Sequence, residues 1–355
     1  MNYKKSVLLG LSGGIDSAYS AYLLKKQGFD ITGVYLKMHG LADETDAVAV
    51  AQNLDIPIKI ADCREDFRKY VIEYFIDEYS NGRTPNPCVI CNRYVKIAKL
   101  VEIADSFGID YISTGHYVKI KQNKDTGKYY ICRATDEKKD QSYFLWKLTD
   151  SQLSRFIPPL AAYEKEYIKD DAVKQSVLTR ILDEGQEICF IPDNDYKSYI
   201  ESVRGKYSEG NFISKDGKVL GTHKGIIYYT IGQRKKLGIA LGTPYIVTEI
   251  NAKDNTVTIE PAESGSGFRQ SFEINCLNFG YMSECDIKYR RQAKFYAKIR
   301  CAARFISCAV ELADSGSAVI YLDEPAKAVT PGQSCVVYTH DSDGELCVAF
   351  GGIIK

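Results

Sequence analysis

Apolar positions in the first third of the chain fall alternately into short continuous runs and into helical spacing. Val7-Leu8-Leu9-Gly10-Leu11 has the pattern of a strand buried on both faces. A helix over 18–27 ending at Gly28, a second strand Ile31–Leu36 and a third, Pro57–Ile60, follow. Asp43 can cap a helix that carries Ala47, Val48, Ala51 and Leu54 on one face. Phe67, Tyr70, Val71, Tyr74 and Phe75 predict a helix over about 66–79. Ile97, Leu100, Val101 and Ala104 predict another over 95–107, with Gly108 just past its end. Tyr111–Gly115 reads as a strand running into His116. This alternation implies a parallel sheet covered by helices, with ligands at the carboxyl ends of strands.

The pattern then changes. Lys128–Arg133 reads as a strand, and helical stretches follow near 150–156 and 164–182. From about 208 the chain reads as strands and tight turns. Asp216-Gly217 between Asn211-Phe212-Ile213 and Val219-Leu220 is a hairpin signal. Gly225–Ile231 and two runs around Lys253-Asp254-Asn255 continue the strands, and Ser264-Gly265-Ser266-Gly267 suits a linker. Runs at 293–304, 309–313, 318–322 and 334–338, with turns at Ser315-Gly316 and Asp343-Gly344, predict a small C-terminal barrel. The expected organisation is an α/β domain over 1–205, a small central β domain over 206–266 and a β-barrel over 267–355.

Composition narrows the class. The chain has 355 residues, 45% of them hydrophobic and 26% charged, as a soluble globular protein does. No run approaches the roughly 20 apolar residues of a membrane span, and the first apolar run is too short for a secretion signal. A cytoplasmic protein with no membrane partner is expected. The formal net charge is zero, so a nucleic-acid site would have to be a local basic patch. The 11 cysteines are read as reduced thiols rather than a disulfide framework.

Three stretches carry candidate chemistry. Ser12-Gly13-Gly14-Ile15-Asp16-Ser17 joins the first strand to the first helix. Small residues there let the backbone approach a phosphate, and free N–H groups at a helix start favour negative charge. No Lys follows the glycines, so this is not the nucleotide loop ending in Gly-Lys-Ser/Thr. In the second stretch, Asn86 suits a helix N-cap and Pro87 the first helical position. Cys88 and Cys91 then share one face of a helix start, where a thiolate is favoured, with Arg83 and Arg93 adding positive charge. Two packed cysteines are the plainer alternative. The third stretch, Asp183–Ile191, contains Cys189, which taken alone fits a core position better than a catalytic one.

Eight segments together resemble one family. Ser12–Ser17, Gly82–Pro87, Cys91-Asn92, Thr114–Tyr117, Lys139–Leu145, Ile188–Ile191, Tyr228–Lys235 and Pro331–Gln333 occur in the order seen in bacterial tRNA-specific 2-thiouridylases (MnmA). The resemblance spans nearly the whole chain. It implies a Rossmann-like domain of the ATP pyrophosphatase type. ATP would be held by Gly10, Leu11, Ser12, Gly13, Gly14, Ile15, Asp16 and Ser17, with Leu36 and Gly115 on the adenine side and Mg²⁺ at the phosphates. The C2 oxygen of the wobble uridine in tRNAs for Lys, Glu and Gln would be adenylated. Cys189 would carry a persulfide supplied by a sulfur-relay protein or cysteine desulfurase. Cys91 would assist, by releasing sulfide or by forming a disulfide with Cys189. Asn86, Pro87, Cys88 and His116 would face the base, while Lys139, Asp140, Gln141, Arg300, Cys301 and Gln333 would contact the tRNA around its anticodon stem-loop.

One position departs from the commonest family pattern, which has Asp where this chain has Cys88. Cys88, Cys91 and Cys189 could instead hold a 4Fe-4S cluster as the sulfur carrier, so both sulfur routes stay open. Independently, the stretch from Lys288 to Arg304 carries seven Lys or Arg residues, with Tyr289, Phe295 and Tyr296 interleaved and no acidic residue. That mixture suits phosphate contact and base stacking. A pyrophosphatase acting on a small metabolite would share Ser12–Ser17 but would need neither Cys91, Cys189 nor the basic stretch.

Overall fold

The computed structural model describes residues 5–177, 188–191, 193–262, 265–289, 293–313 and 316–355. It divides the chain into two compact units. One comprises 1–71, 88–186 and 339–349; the other comprises 72–87, 187–338 and 350–355.

The first unit is built on a parallel sheet in the order Ile58–Asp62, Asp30–Lys37, Ser6–Gly10, Tyr111–Ser113, Phe156–Ile157. The central strand is the apolar run at the start of the chain. Val7, Leu8 and Leu9 are fully buried, each contributing roughly 1.5–3 kcal/mol by leaving water. Helix Ile15–Lys26 packs Ala18, Tyr19, Ala21 and Leu24 into the same core as Leu9, Leu11 and Val50. Phe156, read from the sequence as the end of a helix, opens the fifth strand, Phe156–Ile157, instead. Two residues are too few to show a period-two pattern.

Helix boundaries also differ from the sequence reading. The expected 66–79 helix is Arg64–Phe67, a π-helical turn Arg68–Ile72 and Glu73–Ser80. The helix expected to begin at 95 begins at Pro87 and passes through a second π-helical segment, Asn92–Lys96. Side-chain periodicity does not register one extra residue in a turn. Asp43 accepts the Thr45 backbone N–H at 2.9 Å, just ahead of helix Thr45–Asn53. The helix Lys165–Lys174 matches the first part of the expected 164–182. Residues 178–187, including Asp183–Glu187, lie outside the described residues.

The expectation of reduced thiols is corrected at one pair. Cys132, on strand Tyr129–Cys132, lies directly opposite Cys347, and the two form a disulfide. They are 215 residues apart, a separation that sequence spacing cannot bridge.

In the second unit, a four-stranded sheet runs in the order Tyr245–Asn251, Thr256–Pro261, Gly210–Ile213, Val219–His223. The hairpin around Asp216-Gly217 is formed as expected, with Asn211 opposite Thr222. Gly225–Ile231 is not a strand. It contains a 3₁₀ turn, Ile226–Tyr228, entered through Gly225 at φ 129°. A six-stranded antiparallel barrel follows, made of Phe268–Phe279, Ser317–Lys327, Ile306–Ala313, Phe295–Lys298, Ser334–His340 and Leu346–Ile354. Pairing of Ile274 with Ile354 and of Phe279 with Phe350 closes it. The architecture is therefore a Rossmann-like α/β domain, a small β domain and a closed β-barrel. Ser264 and Ser315 lie outside the described residues. Among the described residues no helix is long and apolar enough to cross a membrane.

Candidate functional site

Where strands Ser6–Gly10, Asp30–Lys37 and Tyr111–Ser113 end, the first unit holds a cavity of about 350 Å³. Its lining includes Gly10, Leu11, Ser12, Asp16, Ser17, Leu36, Gly115 and His116, all expected from the sequence. Ser17 Oγ donates to Gly14 O at 3.0 Å and accepts the Ser12 N–H at 3.1 Å, which ties the loop across the start of helix Ile15–Lys26. Gly13 has φ +84°, and a Cβ there would lie 2.5 Å from Asp46 Cβ. Only glycine meets both demands. A Cβ on Gly115 would lie 2.7 Å from Ser17 N and 2.8 Å from Asp16 C. The helix start and the strand end thus meet at backbone distance, which makes the cradle a phosphate needs.

Tyr35, Met38, His39 and Lys96 also line this cavity, and sequence reasoning passed over them. Their signal was position, because Met38 and His39 directly follow the carboxyl end of Asp30–Lys37. Asp16 Oδ1 accepts Tyr117 OH and Lys165 Nζ, each at 2.6 Å. Neither partner was expected from the sequence.

His116 is buried and bonded through Nδ1 to Thr114 Oγ1 at 2.6 Å. Burial, aided by Lys96, holds its pKa well below the usual imidazole value, so the ring is neutral. A histidine depressed in this way stabilises the fold above about pH 6.5, and that contribution is lost as pH falls. Urea midpoints at pH 7.5 and 5.5 should therefore differ less in His116→Gln than in the unsubstituted protein. An equal difference would refute a neutral buried ring.

Asp140 is buried and spends both oxygens on its own turn. It accepts the Ala134 N–H at 3.0 Å and the Ser142 hydroxyl at 2.7 Å. Its neighbour Gln141 lines the cavity and accepts the Tyr117 N–H at 2.9 Å.

Cys91 is buried, with Sγ 3.8 Å from Met38 Sδ, whereas Cys88 reaches solvent. The expected thiolate at Cys88 is corrected: crowding by its surroundings pushes the thiol pKa up, against a weaker downward pull from Lys96. The two arginines expected to help are engaged elsewhere. Arg93 bonds Thr149 and Gln152, and Arg83 grips Glu78 with two nitrogens.

In the second unit, Cys189 is exposed rather than part of the core. Its neighbours supply the burial. Phe190 packs edge-on against Phe75 and Tyr199 at centroid distances of 5.4 and 5.6 Å, and the Ile191 N–H closes a turn onto Ile188 O at 2.9 Å. Two motifs distant in sequence also meet here. Gln333 Nε2 donates to Thr84 O at 3.0 Å and Pro85 O at 2.9 Å, and the Thr84 N–H donates to Pro331 O at 2.9 Å. Pro331-Gly332-Gln333 is thus a clamp on the loop that carries Asn86. Gln333→Ala, which leaves two carbonyls unpaired, should cost about 1–3 kcal/mol and speed hydrogen exchange at amides 82–85. Unchanged exchange would refute the clamp.

The uninterrupted basic stretch of the sequence is interrupted in space. Lys288 pairs with Glu284 at 2.9 Å and Arg304 with Glu324. Arg300 and Cys301 sit in the turn between strands Phe295–Lys298 and Ile306–Ala313. Arg290 and Arg291 lie outside the described residues. Acidic partners from other segments cannot be seen by scanning one run of sequence.

Fold and glycine cradle together define an α/β protein whose sheet ends in a nucleotide-type loop, followed by two β modules. Family models match in the same order: a tRNA methyl transferase HUP domain over 5–193, a tRNA methyl transferase PRC-barrel domain over 197–261 and an aminomethyltransferase beta-barrel domain over 272–354. The tRNA-specific 2-thiouridylase MnmA of Clostridium perfringens is 40% identical, with 99% of each chain covered. That of Carboxydothermus hydrogenoformans is 41% identical over 95% of each chain. That of Clostridioides difficile is 38% identical over 100% of this chain and 99% of its own. The chain belongs to the tRNA-specific 2-thiouridylase (MnmA) family.

Proposed function

We propose that the chain is an ATP-dependent tRNA-uridine 2-sulfurtransferase acting on the wobble uridine of tRNAs for Lys, Glu and Gln. The observation that carries this reading is its similarity, end to end, to three proteins named tRNA-specific 2-thiouridylase. A domain division at 1–205, 206–266 and 267–355 goes with it, supported by the matched segments 5–193, 197–261 and 272–354.

The chemistry follows from a poor leaving group. The uridine C2 oxygen attacks the α-phosphorus of ATP, pyrophosphate departs, and the oxygen becomes part of AMP. The terminal sulfur of a Cys189 persulfide, delivered by a cysteine desulfurase or relay protein, then attacks C2, and AMP leaves with the C2–O bond. The Cys91 thiolate then attacks Cys189 Sγ, which breaks the S–S bond to the transferred sulfur and leaves that sulfur on C2; the Cys91–Cys189 disulfide formed is returned to two thiols by an external thiol reductant. The exposure of Cys189 suits both delivery and attack. Mg²⁺, when bound with ATP, neutralises charge at the phosphates. Asp16 would hold it, because among the described residues only its Oδ1 is taken by hydrogen bonds. Asn86, Pro87, Cys88 and His116 would receive the base, with Lys139, Gln141 and Arg300-Cys301 on the tRNA side.

The cluster route is less well supported. It would need Cys88, Cys91 and Cys189 as thiolate ligands, and of these Cys91 is buried whereas Cys88 and Cys189 are exposed. We derive no step through a cluster.

Purified protein given ATP, a persulfide donor and undermodified tRNA should form 2-thiouridine, with AMP and pyrophosphate produced only when tRNA is present. Pyrophosphate release without tRNA but with a small metabolite would favour a synthetase instead.

A further inference from the structure

We propose that Lys165 is a positioning residue for the nucleotide, acting through Asp16; this rests on the ATP-binding part of the function above. Lys165 opens helix Lys165–Lys174, and its side chain is 2% exposed. Its ammonium lies 2.6 Å from Asp16 Oδ1, and Tyr117 OH donates to the same oxygen at 2.6 Å. The supports are themselves fixed. Tyr117 is 2% exposed and exchanges two hydrogen bonds with Gln141, at 2.9 Å and 2.8 Å. The Lys165 N–H donates to Asp136 Oδ2 at 2.9 Å. Lys165 is not among the residues lining the cavity, whereas Asp16 is.

A buried ammonium is costly, and an apolar residue of similar size often serves stability as well or better. The charge at 165 therefore needs a reason beyond packing, and the site supplies one. Asp16 stands at the start of helix Ile15–Lys26, where the phosphates of ATP would approach. An uncompensated carboxylate there would repel a polyanion. Lys165 offsets that charge without competing for the ligand. Two donors on Oδ1 also fix the carboxylate's orientation and, among the described residues, leave Oδ2 open to a cation or a water.

The test is equilibrium binding of ATP and of adenosine, both in excess chelator, to the unsubstituted protein, Lys165→Met, Asp16→Asn and the double variant. Lys165→Met should weaken metal-free ATP binding at least about fivefold, the effect of one exposed charge at about 4 Å in water, and change adenosine binding less than about twofold. Adding Asp16→Asn should restore ATP binding, because it removes the repulsion. Parallel loss of ATP and adenosine, or no relief in the double variant, would overturn the proposal. Should Lys165→Met fail to fold, Tyr117→Phe reads the same support. It should weaken ATP a few-fold and leave adenosine unchanged, and equal losses count against the proposal. If the unsubstituted protein binds no ATP, the nucleotide reading fails and takes this inference with it. If it binds ATP without the charge coupling, this inference alone fails.

Discussion

Cys189→Ser should abolish 2-thiouridine formation, by roughly 10³-fold or more, the scale on which removal of a covalent nucleophile is felt, while tRNA binding stays within about twofold. A hydroxyl cannot carry a persulfide, so no sulfur reaches C2. The substitution should cost little stability. Cys189 is exposed, and its segment is held by Phe190 against Phe75 and Tyr199 rather than by the thiol. On the proposed order, with adenylation before sulfur attack, pyrophosphate release in the presence of tRNA should survive at a reduced rate in Cys189→Ser. Mass spectrometry of digested tRNA, a filter-binding assay and a pyrophosphate assay read the three quantities. Thiolation that persists in Cys189→Ser would remove the persulfide from this residue. Loss of tRNA binding together with thiolation would make Cys189 a docking residue.

The residues that carry this expectation were unequally legible. The loop Ser12–Ser17 could be read as a phosphate cradle because strand, glycine turn and helix are contiguous. Local pattern and backbone geometry carry the same message there. Lys165 and Tyr117 could not be read. Each meets Asp16 across more than a hundred residues, and a lysine at a helix start looks like solvated surface until its burial is known. Cys189 shows the converse. Its apolar neighbours made it look like core, yet those neighbours anchor the segment and leave the thiol outside. The basic stretch was legible as a run of charge but not in its pairings. Glu324 neutralises Arg304 from a neighbouring barrel strand, a pairing that only strand register reveals. Resemblance pointed to Gln333 as a tRNA contact; its bonds to Thr84 O and Pro85 O, a clamp on a loop 249 and 248 residues away in sequence, had no signal in the chain.

Gly115→Val should weaken ATP binding by roughly 10- to 100-fold and reduce turnover in proportion. Even one added carbon would sit 2.7 Å from Ser17 N and 2.8 Å from Asp16 C. Those atoms are backbone at the start of a helix and cannot swing aside as a side chain would. The added valine must push the helix start away from strand Tyr111–Ser113, and overpacking of this kind costs about 1–3 kcal/mol. That strain falls on the segment that would face the phosphates, so most of it should appear as lost affinity for ATP, at about 1.4 kcal/mol per tenfold. Titration with a fluorescent ATP analogue, beside a thermal melt, separates the two effects. A drop in melting temperature with unchanged ATP affinity would mean that Gly115 serves packing alone. Loss of affinity for ATP and adenosine alike would place the damage on the adenine side rather than at the phosphate cradle.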